Sequence, residues 1–194
     1  PRELEHQLKD SGSKAILILE NFAHTLQQVL PAVPTKKVIL TALGDMLGFP
    51  KSLIVNYVVR KVKKMVPAFE LPGAVKFNDA LAQGRGKTFK PAQVGPDDIA
   101  VLQYTGGTTG VSKGAVLLHR NLVANVLQAE AWYQPALKKI PPGEQIVTVC
   151  ALPLYHIFGF NTNMMLGLKM GGSNLLIANP RDFGAVLKDL AAQP

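Results

Sequence analysis

Residues 15–41 read AILILENFAHTLQQVLPAVPTKKVILT. Ala15-Ile16-Leu17-Ile18-Leu19 and Lys37-Val38-Ile39-Leu40-Thr41 are short apolar runs, the pattern of strands buried on both faces of a parallel sheet. Between them Phe22, Leu26, Val29 and Leu30 recur at helical spacing. Strand, helix, strand is a βαβ unit. It predicts an α/β fold of layered, largely parallel sheets flanked by helices. Upstream, Leu4, His6 and Leu8 fall at helical spacing among charges.

Downstream the alternation resumes after a looser stretch. Pro67, Pro72, Gly73, Gly84, Gly86, Pro91, Gly95 and Pro96 mark residues 67–96 as a connection, with one helical patch around Phe77 to Leu81. Ile99-Ala100-Val101-Leu102-Gln103-Tyr104 reads as a strand and Ala115-Val116-Leu117-Leu118 as another. Leu122, Val126 and Ala129 give a helix over 121–133, and 145–152 is again a strand. An apolar helix over 158–170 is stopped by Gly171-Gly172. Leu175-Leu176-Ile177 is a strand, and Asp182 is placed to cap a last helix through Val186 and Leu190.

Residues 51–66 predict an amphipathic helix. Ile54, Val58, Val62 and Met65 share one face, while Asn56, Arg60, Lys63 and Lys64 lie largely opposite. Such a basic helix fits an anionic membrane surface. The same pattern also describes an ordinary helix with its apolar face on the core and its lysines solvated.

The chemistry is concentrated in Tyr104-Thr105-Gly106-Gly107-Thr108-Thr109-Gly110-Val111-Ser112-Lys113-Gly114. The glycines let the backbone approach a ligand closely. Successive N–H groups in such a turn form a concave anion site. The hydroxyls of Thr105, Thr108, Thr109 and Ser112 suit phosphate oxygens or a magnesium ion. Lys113 adds a point charge for a polyphosphate. This is not the Walker loop, because Lys113 is followed by Gly114. Gly86-Lys87-Thr88 also fails that pattern, since Leu81 stands where its first glycine belongs. There is no GxGxxG in the segment.

With Ala115 after it, and Leu118-His119-Arg120-Asn121-Leu122 further on, the segment resembles the signature phosphate loop of the adenylate-forming (ANL) superfamily. That superfamily includes acyl-CoA synthetases, luciferases and peptide-synthetase adenylation domains. Ala151-Leu152-Pro153-Leu154-Tyr155-His156-Ile157-Phe158-Gly159-Phe160 is similar to the family's acyl-pocket motif. Asn174-Leu175-Leu176-Ile177-Ala178-Asn179-Pro180-Arg181-Asp182 resembles the bacterial long-chain fatty-acyl-CoA synthetases.

The resemblance implies ATP, Mg2+ and coenzyme A as reactants or cofactors, and a fatty acid as substrate. It implies that Thr105, Gly106, Gly107, Thr108, Thr109, Gly110, Ser112 and Lys113 cradle the phosphates. Lys113 and Thr109 would act in catalysis and Thr105 at the metal. His156 would lie near the carboxylate, and Phe158 or Phe160 would line or gate the acyl pocket. The family also uses a Tyr-Gly-x-Thr-Glu motif, an aspartate in Thr-Gly-Asp and a mobile C-terminal lid, none of which is found here. Residues 1–194 are therefore expected to form part of an N-terminal ATP- and acyl-binding domain, inactive alone. Alternatives are an aryl- or other carboxylate–CoA ligase, an amino-acid adenylation domain, or a non-catalytic fragment that binds a membrane or a partner.

The remaining features bound these readings. With 47% hydrophobic and 18% charged residues the chain is globular in composition. Its formal charge of +8 suits a phosphate-bearing substrate or an anionic lipid. The cluster at Lys61, Lys63 and Lys64 lacks the interleaved aromatics of a single-stranded nucleic-acid site, so no nucleic-acid partner is expected. The single cysteine, Cys150, excludes an intrachain disulfide and suits a reducing cytoplasm. It sits in an apolar run and reads as a small buried side chain rather than a nucleophile. The expected location is cytoplasmic, with peripheral contact to the inner face of the membrane through 51–66. Exposed strand edges make a homodimer a further expectation.

Overall fold

A computed structural model describes residues 1–106, 110–141 and 143–193. The chain divides into two compact units, Pro1–Gln93 with Tyr104–Gly114, and Val94–Gln103 with Ala115–Pro194.

In the first unit, strands β1 (Ala15–Leu19) and β2 (Lys37–Thr41) pair in parallel, with Ala15 opposite Lys37 and Leu19 opposite Thr41. Helix α2 (Ala23–Val29) makes the crossover. Helix α1 (Arg2–Asp10) precedes β1. Leu8 of α1, Leu26 and Val29 of α2 and Val38 of β2 form the core, and Ile16 and Ile18 pack against it. Leu26 is fully buried, which stabilises the fold by about 1.5–3 kcal/mol. Burial on both faces of β1 does not hold within this chain. Leu17 is 57% exposed, because α1 and α2 contribute their apolar residues to the side of Ile16 and Ile18. The connection holds more structure than its composition suggests. A two-residue strand, β3 (Val75–Lys76), joins β2 in parallel, and helix α4 (Phe77–Gly84) follows it.

Helix α3 (Lys51–Tyr57) continues into a π-helical stretch, Val58–Val62. Lys64 has a positive φ of 50°, so the helix stops short of the expected residue 66. It buries Val59, but most of the face expected to be apolar and inward lies open, and polar side chains anchor the helix instead. Asn56 Oδ1 accepts from the Gly44 N–H at 2.7 Å, and its Nδ2 donates to Asp45 Oδ1 at 3.0 Å. The Arg60 guanidinium donates to both oxygens of Glu20, at 2.8 and 3.0 Å from Nε and 2.8 Å from the terminal nitrogen. Glu20 is buried and would be costly unpaired, so it turns Arg60 inward. Hydrogen bonding to Glu20 raises the Arg60 pKa above its ordinary value. Ile54, Val62 and Met65 are left exposed.

In the second unit, β6 (Val147–Cys150) and β7 (Ser173–Leu176) pair in parallel, with Val149 opposite Leu175. Helix α5 (His119–Leu137) runs four residues past its expected end, with Pro135 in its last turn. The Asn121 amide oxygen accepts the Leu118 N–H at 2.9 Å at its start. The expected apolar helix begins with a π-helical stretch, Gly159–Met165, and continues as α6 (Leu166–Met170). Gly171 ends it with a φ of 66°, a left-handed conformation that suits glycine. Asp182 caps α7 (Phe183–Ala191), its carboxylate accepting from Ala185 N–H at 3.0 Å. Cys150 is buried at 2% exposure.

Strands β4 (Ile99–Thr105) and β5 (Lys113–Leu118) pair in a two-stranded sheet. Among the described residues no helix is long and apolar enough to cross a membrane.

Candidate functional site

The Gly/Thr segment opens where β4 ends and closes where β5 begins. Thr105 is the last residue of β4 and is exposed, as are Gly106 and Gly110. Gly107, Thr108 and Thr109 lie outside the described residues. Lys113 is the first residue of β5, two positions earlier than expected. It is exposed, and none of the four ion pairs among the described residues holds it. Glycine N–H groups, hydroxyls and a lysine in one short segment are the groups that a polyphosphate requires.

Ser112 behaves differently from its neighbours. It is buried at 6% exposure, its hydroxyl donates to Glu3 Oε2 at 2.9 Å, and its carbonyl accepts from His6 Nε2 at 2.8 Å. Tyr104, at the other end of the loop, donates its hydroxyl to Asp10 Oδ2 at 2.5 Å. The ring of His6 meets that of Tyr104 edge-on at 6.3 Å. Tyr104 also lies against Gly114, where a Cβ would come within 3.0 Å of the ring, so only glycine fits without a shift. The hydrogen bond to Asp10 raises the Tyr104 phenol above its ordinary value of 10.0.

The second unit holds a mostly apolar cavity of about 400 Å3, within the range of small-molecule sites. Tyr133 and Leu137 of α5, Val149 of β6, and Phe158, Thr162 and Leu166 line it. A neighbouring cavity of about 370 Å3 lies among Leu117, Leu122, Asn125, Ile157 and Asn161. Phe158 and Thr162 belong to both linings. Phe158 is thus a shared wall. Phe160 is half-buried and lines neither cavity. His156 is exposed, and its Nδ1 accepts from the Phe158 N–H at 3.2 Å. That bond ties the histidine to the backbone of the shared wall. The wider π turn matters here, because π segments often mark functional sites and this one spreads Thr162 and Asn163 along the first cavity.

Two features were not anticipated from sequence. Four asparagines form two separate amide pairs: in one Asn161 bonds Asn125, and in the other Asn163 donates to the Val149 carbonyl at 3.3 Å while Asn174 donates to the Asn163 carbonyl at 3.0 Å. Four amides in otherwise apolar segments were the available signal. The other feature is the α1 face that meets the loop ends. Its signal was the spacing of Glu3, His6 and Asp10 at i, i+3 and i+7.

Among the described residues no group of three His, Cys, Asp or Glu side chains is placed to hold a metal. The exposed Thr105 hydroxyl is a hard oxygen donor, and it fits an ion bound mainly by phosphate oxygens and water.

Residues 1–193 match the family described as AMP-binding enzyme. The chain is 50% identical over 194 residues to a long-chain-fatty-acid–CoA ligase of Escherichia coli O6:H1, covering 100% of this chain and 34% of that relative. It is 46% identical over 193 residues to the ligase of the same name from Haemophilus influenzae, again covering 34% of the relative. The chain thus spans about a third of the length of the curated relatives it matches. In fold it resembles apo MatB from Rhodopseudomonas palustris, with a TM-score of 0.65 at 24% identity over 98% of this chain and 30% of that one. It also resembles the anthranilate CoA ligase AuaEII in complex with anthranoyl-AMP, with a TM-score of 0.67 at 20% identity over 98% and 31% of the two chains.

Proposed function

The chain belongs to the AMP-binding enzyme family, and from that premise we propose that it supplies the ATP-phosphate and acyl-binding part of a long-chain fatty-acid–CoA ligase. The observation that carries this reading is the Gly/Thr/Lys loop between β4 and β5, with Lys113 exposed at its end. Identity of 50% along the whole chain to long-chain-fatty-acid–CoA ligases supports the substrate class. The complete reaction is proposed for the longer protein, in which residues 1–194 form part of the N-terminal domain.

The fatty carboxylate attacks the α-phosphorus of ATP, forming acyl-AMP and releasing pyrophosphate. The thiolate of coenzyme A then attacks the acyl carbon and AMP leaves. Charge grows on phosphate oxygens in the first step, so the protein acts mainly by positioning and electrostatic stabilisation. Lys113 holds the β- and γ-phosphates and the departing pyrophosphate. Gly106, Gly107 and Gly110 let the backbone approach the phosphates, and Thr108 and Thr109 donate to phosphate oxygens. Ser112, whose hydroxyl is held by Glu3, contributes through the loop backbone. Mg2+, held at Thr105, would neutralise phosphate charge. The apolar cavity beside Phe158 takes the acyl chain, with His156 near the carboxylate. Phe160 is half-buried and lines neither cavity, which leaves Phe158 as the aromatic wall of the proposed pocket.

The test is carboxylate-dependent exchange of labelled pyrophosphate into ATP by the full-length protein, with fatty acids, aromatic acids and amino acids in the panel. Exchange with fatty acids alone is expected. Exchange only with an aromatic acid would keep the loop and overturn the substrate class. Lys113→Ala should lower exchange on the order of a hundredfold with the thermal midpoint unchanged. Unaltered exchange in that variant would remove Lys113 from the phosphate site.

A second reading concerns location, and the exposed apolar residues of the helix at 51–62 favour it. Ile54, Val62 and Met65 are exposed on the same segment as Phe49, Leu53 and Tyr57. Residues 46–69 hold Lys51, Arg60, Lys61, Lys63 and Lys64 and no Asp or Glu. Apolar residues rimmed by lysine match an anionic bilayer surface, where each lysine contributes about 1 kcal/mol. We propose that this face rests on such a surface at the inner side of the membrane. Sedimentation with phosphatidylglycerol vesicles should fall at least tenfold on replacing Lys61, Lys63 and Lys64 with glutamine. No binding by the unaltered protein would dismiss the reading. Pairing of two copies is the remaining proposal. β1 and β3 are the edges of the three-stranded sheet, and a monomeric mass by light scattering would exclude it.

A further inference from the structure

We propose that the Glu3, His6 and Asp10 face of α1 is a positioning clamp that sets both ends of the phosphate loop before nucleotide binds. The inference rests on the reading of residues 105–113 as that loop. Three side chains on one helical face reach two points of the chain about a hundred residues away. Asp10 takes the hydroxyl of Tyr104, which directly precedes Thr105. His6 and Glu3 take the carbonyl and the hydroxyl of Ser112, which directly precedes Lys113. His6 also packs its ring edge on Tyr104, so the two ends share one contact residue.

The physical need for such a device follows from the loop's composition. Glycine loses more backbone entropy on ordering than other residues do, so a ligand that must order Gly106 and Gly110 loses affinity accordingly. Holding the ends in place removes part of that loss in advance. Ser112 is the buried residue of the described part of the loop, and its carbonyl is bonded to His6. The backbone of Lys113 therefore starts from a fixed point. The rest of α1 is well suited to serve as a base, because Leu8 is anchored in the core with Leu26, Val29 and Val38.

None of the three residues touches a reacting atom in this account. They act through Tyr104 and Ser112, so the test must separate positioning from general support. In the full-length protein, His6→Ala should raise KM for ATP about threefold to tenfold, the effect of losing one or two hydrogen bonds. KM for the fatty acid should be unchanged. His6→Gln keeps an N–H donor at the same reach and should restore KM for ATP to within twofold. Tyr104→Phe removes one hydroxyl and should raise it about twofold. Amide hydrogen exchange without nucleotide should be faster across 104–113 in His6→Ala, and little changed in β6 and β7.

An unchanged KM for ATP with unchanged exchange at 104–113 would overturn the clamp. So would equal losses for ATP and fatty acid with no rescue by glutamine, which is the signature of general support. If the unaltered protein exchanges pyrophosphate with no carboxylate, the ligase reading fails. The nucleotide-free hydrogen exchange then still decides whether α1 holds the loop ends.

Discussion

The helix over 51–62 and the helix over 159–170 both contain a stretch of π geometry, and their side chains are arranged in opposite senses. In the second, Leu166 is buried and Phe158, Thr162 and Asn163 face a cavity. In the first, Ile54 and Val62 face outward while Asn56 and Arg60 hold the helix to the body of its unit. The first pattern reads as amphipathic from sequence and the second as apolar. Apolar spacing shows that a helix has two faces, but polar partners decide which face turns inward. A buried carboxylate such as Glu20 decides more strongly than three aliphatic side chains, because leaving it unpaired costs several kcal/mol.

The comparison can be broken most sharply by truncating one aliphatic side chain on each helix. Leu166→Ala should destabilise the full-length protein by about 3 kcal/mol, whereas Ile54→Ala, at 60% exposure, should change stability by less than about 0.5 kcal/mol. Equal losses by urea denaturation would mean that Ile54 is covered in solution. Arg60→Ala should cost about 2 kcal/mol. That is less than for a fully buried pair, because the Arg60 side chain is 47% exposed. Replacing Asn56 by leucine makes the helix more apolar yet should lower stability by about 1 kcal/mol, since the Gly44 N–H and Asp45 lose their partner. A gain in stability would show that the polar anchors do not set the orientation.

The smallest expected effect belongs to α1, whose Asp10 bonds the Tyr104 hydroxyl. The Tyr104 phenol is raised above 10.0 by its bond to Asp10, so the neutral form is favoured in the folded protein. Its contribution is complete below pH 10.0 and fades as pH climbs through the folded value. An absorbance titration should show one phenol ionising later than its ordinary value, and Tyr104→Phe should remove that late component.

Local patterns carried much of the fold. The parallel pairing of β1 and β2, the stop at Gly171, the cap at Asp182 and the burial of Cys150 were each readable from a few adjacent residues. The Gly/Thr/Lys motif of 105–113 stood out in the sequence because its glycines, hydroxyls and lysine are nearly consecutive, and its phosphate role is a proposal. Long-range partners were not readable. Arg60 meets Glu20 across 40 positions and Ser112 meets Glu3 across 109, and no periodicity encodes such pairs. β3 has two residues, too few to show a period of two. The cavity beside Phe158 is lined from α5, β6 and the 159–170 helix, so no single segment announces it.

Cys150 turns its burial into a clock. It is the protein's single thiol, 2% exposed at the end of β6, with its S–H directed to the Leu152 carbonyl at 3.3 Å. A thiol reagent can reach it only when the strand end opens, so the rate of labelling measures how often the end of β6 opens, next to Val149 in the lining of the apolar cavity. No label has to be engineered to take that reading.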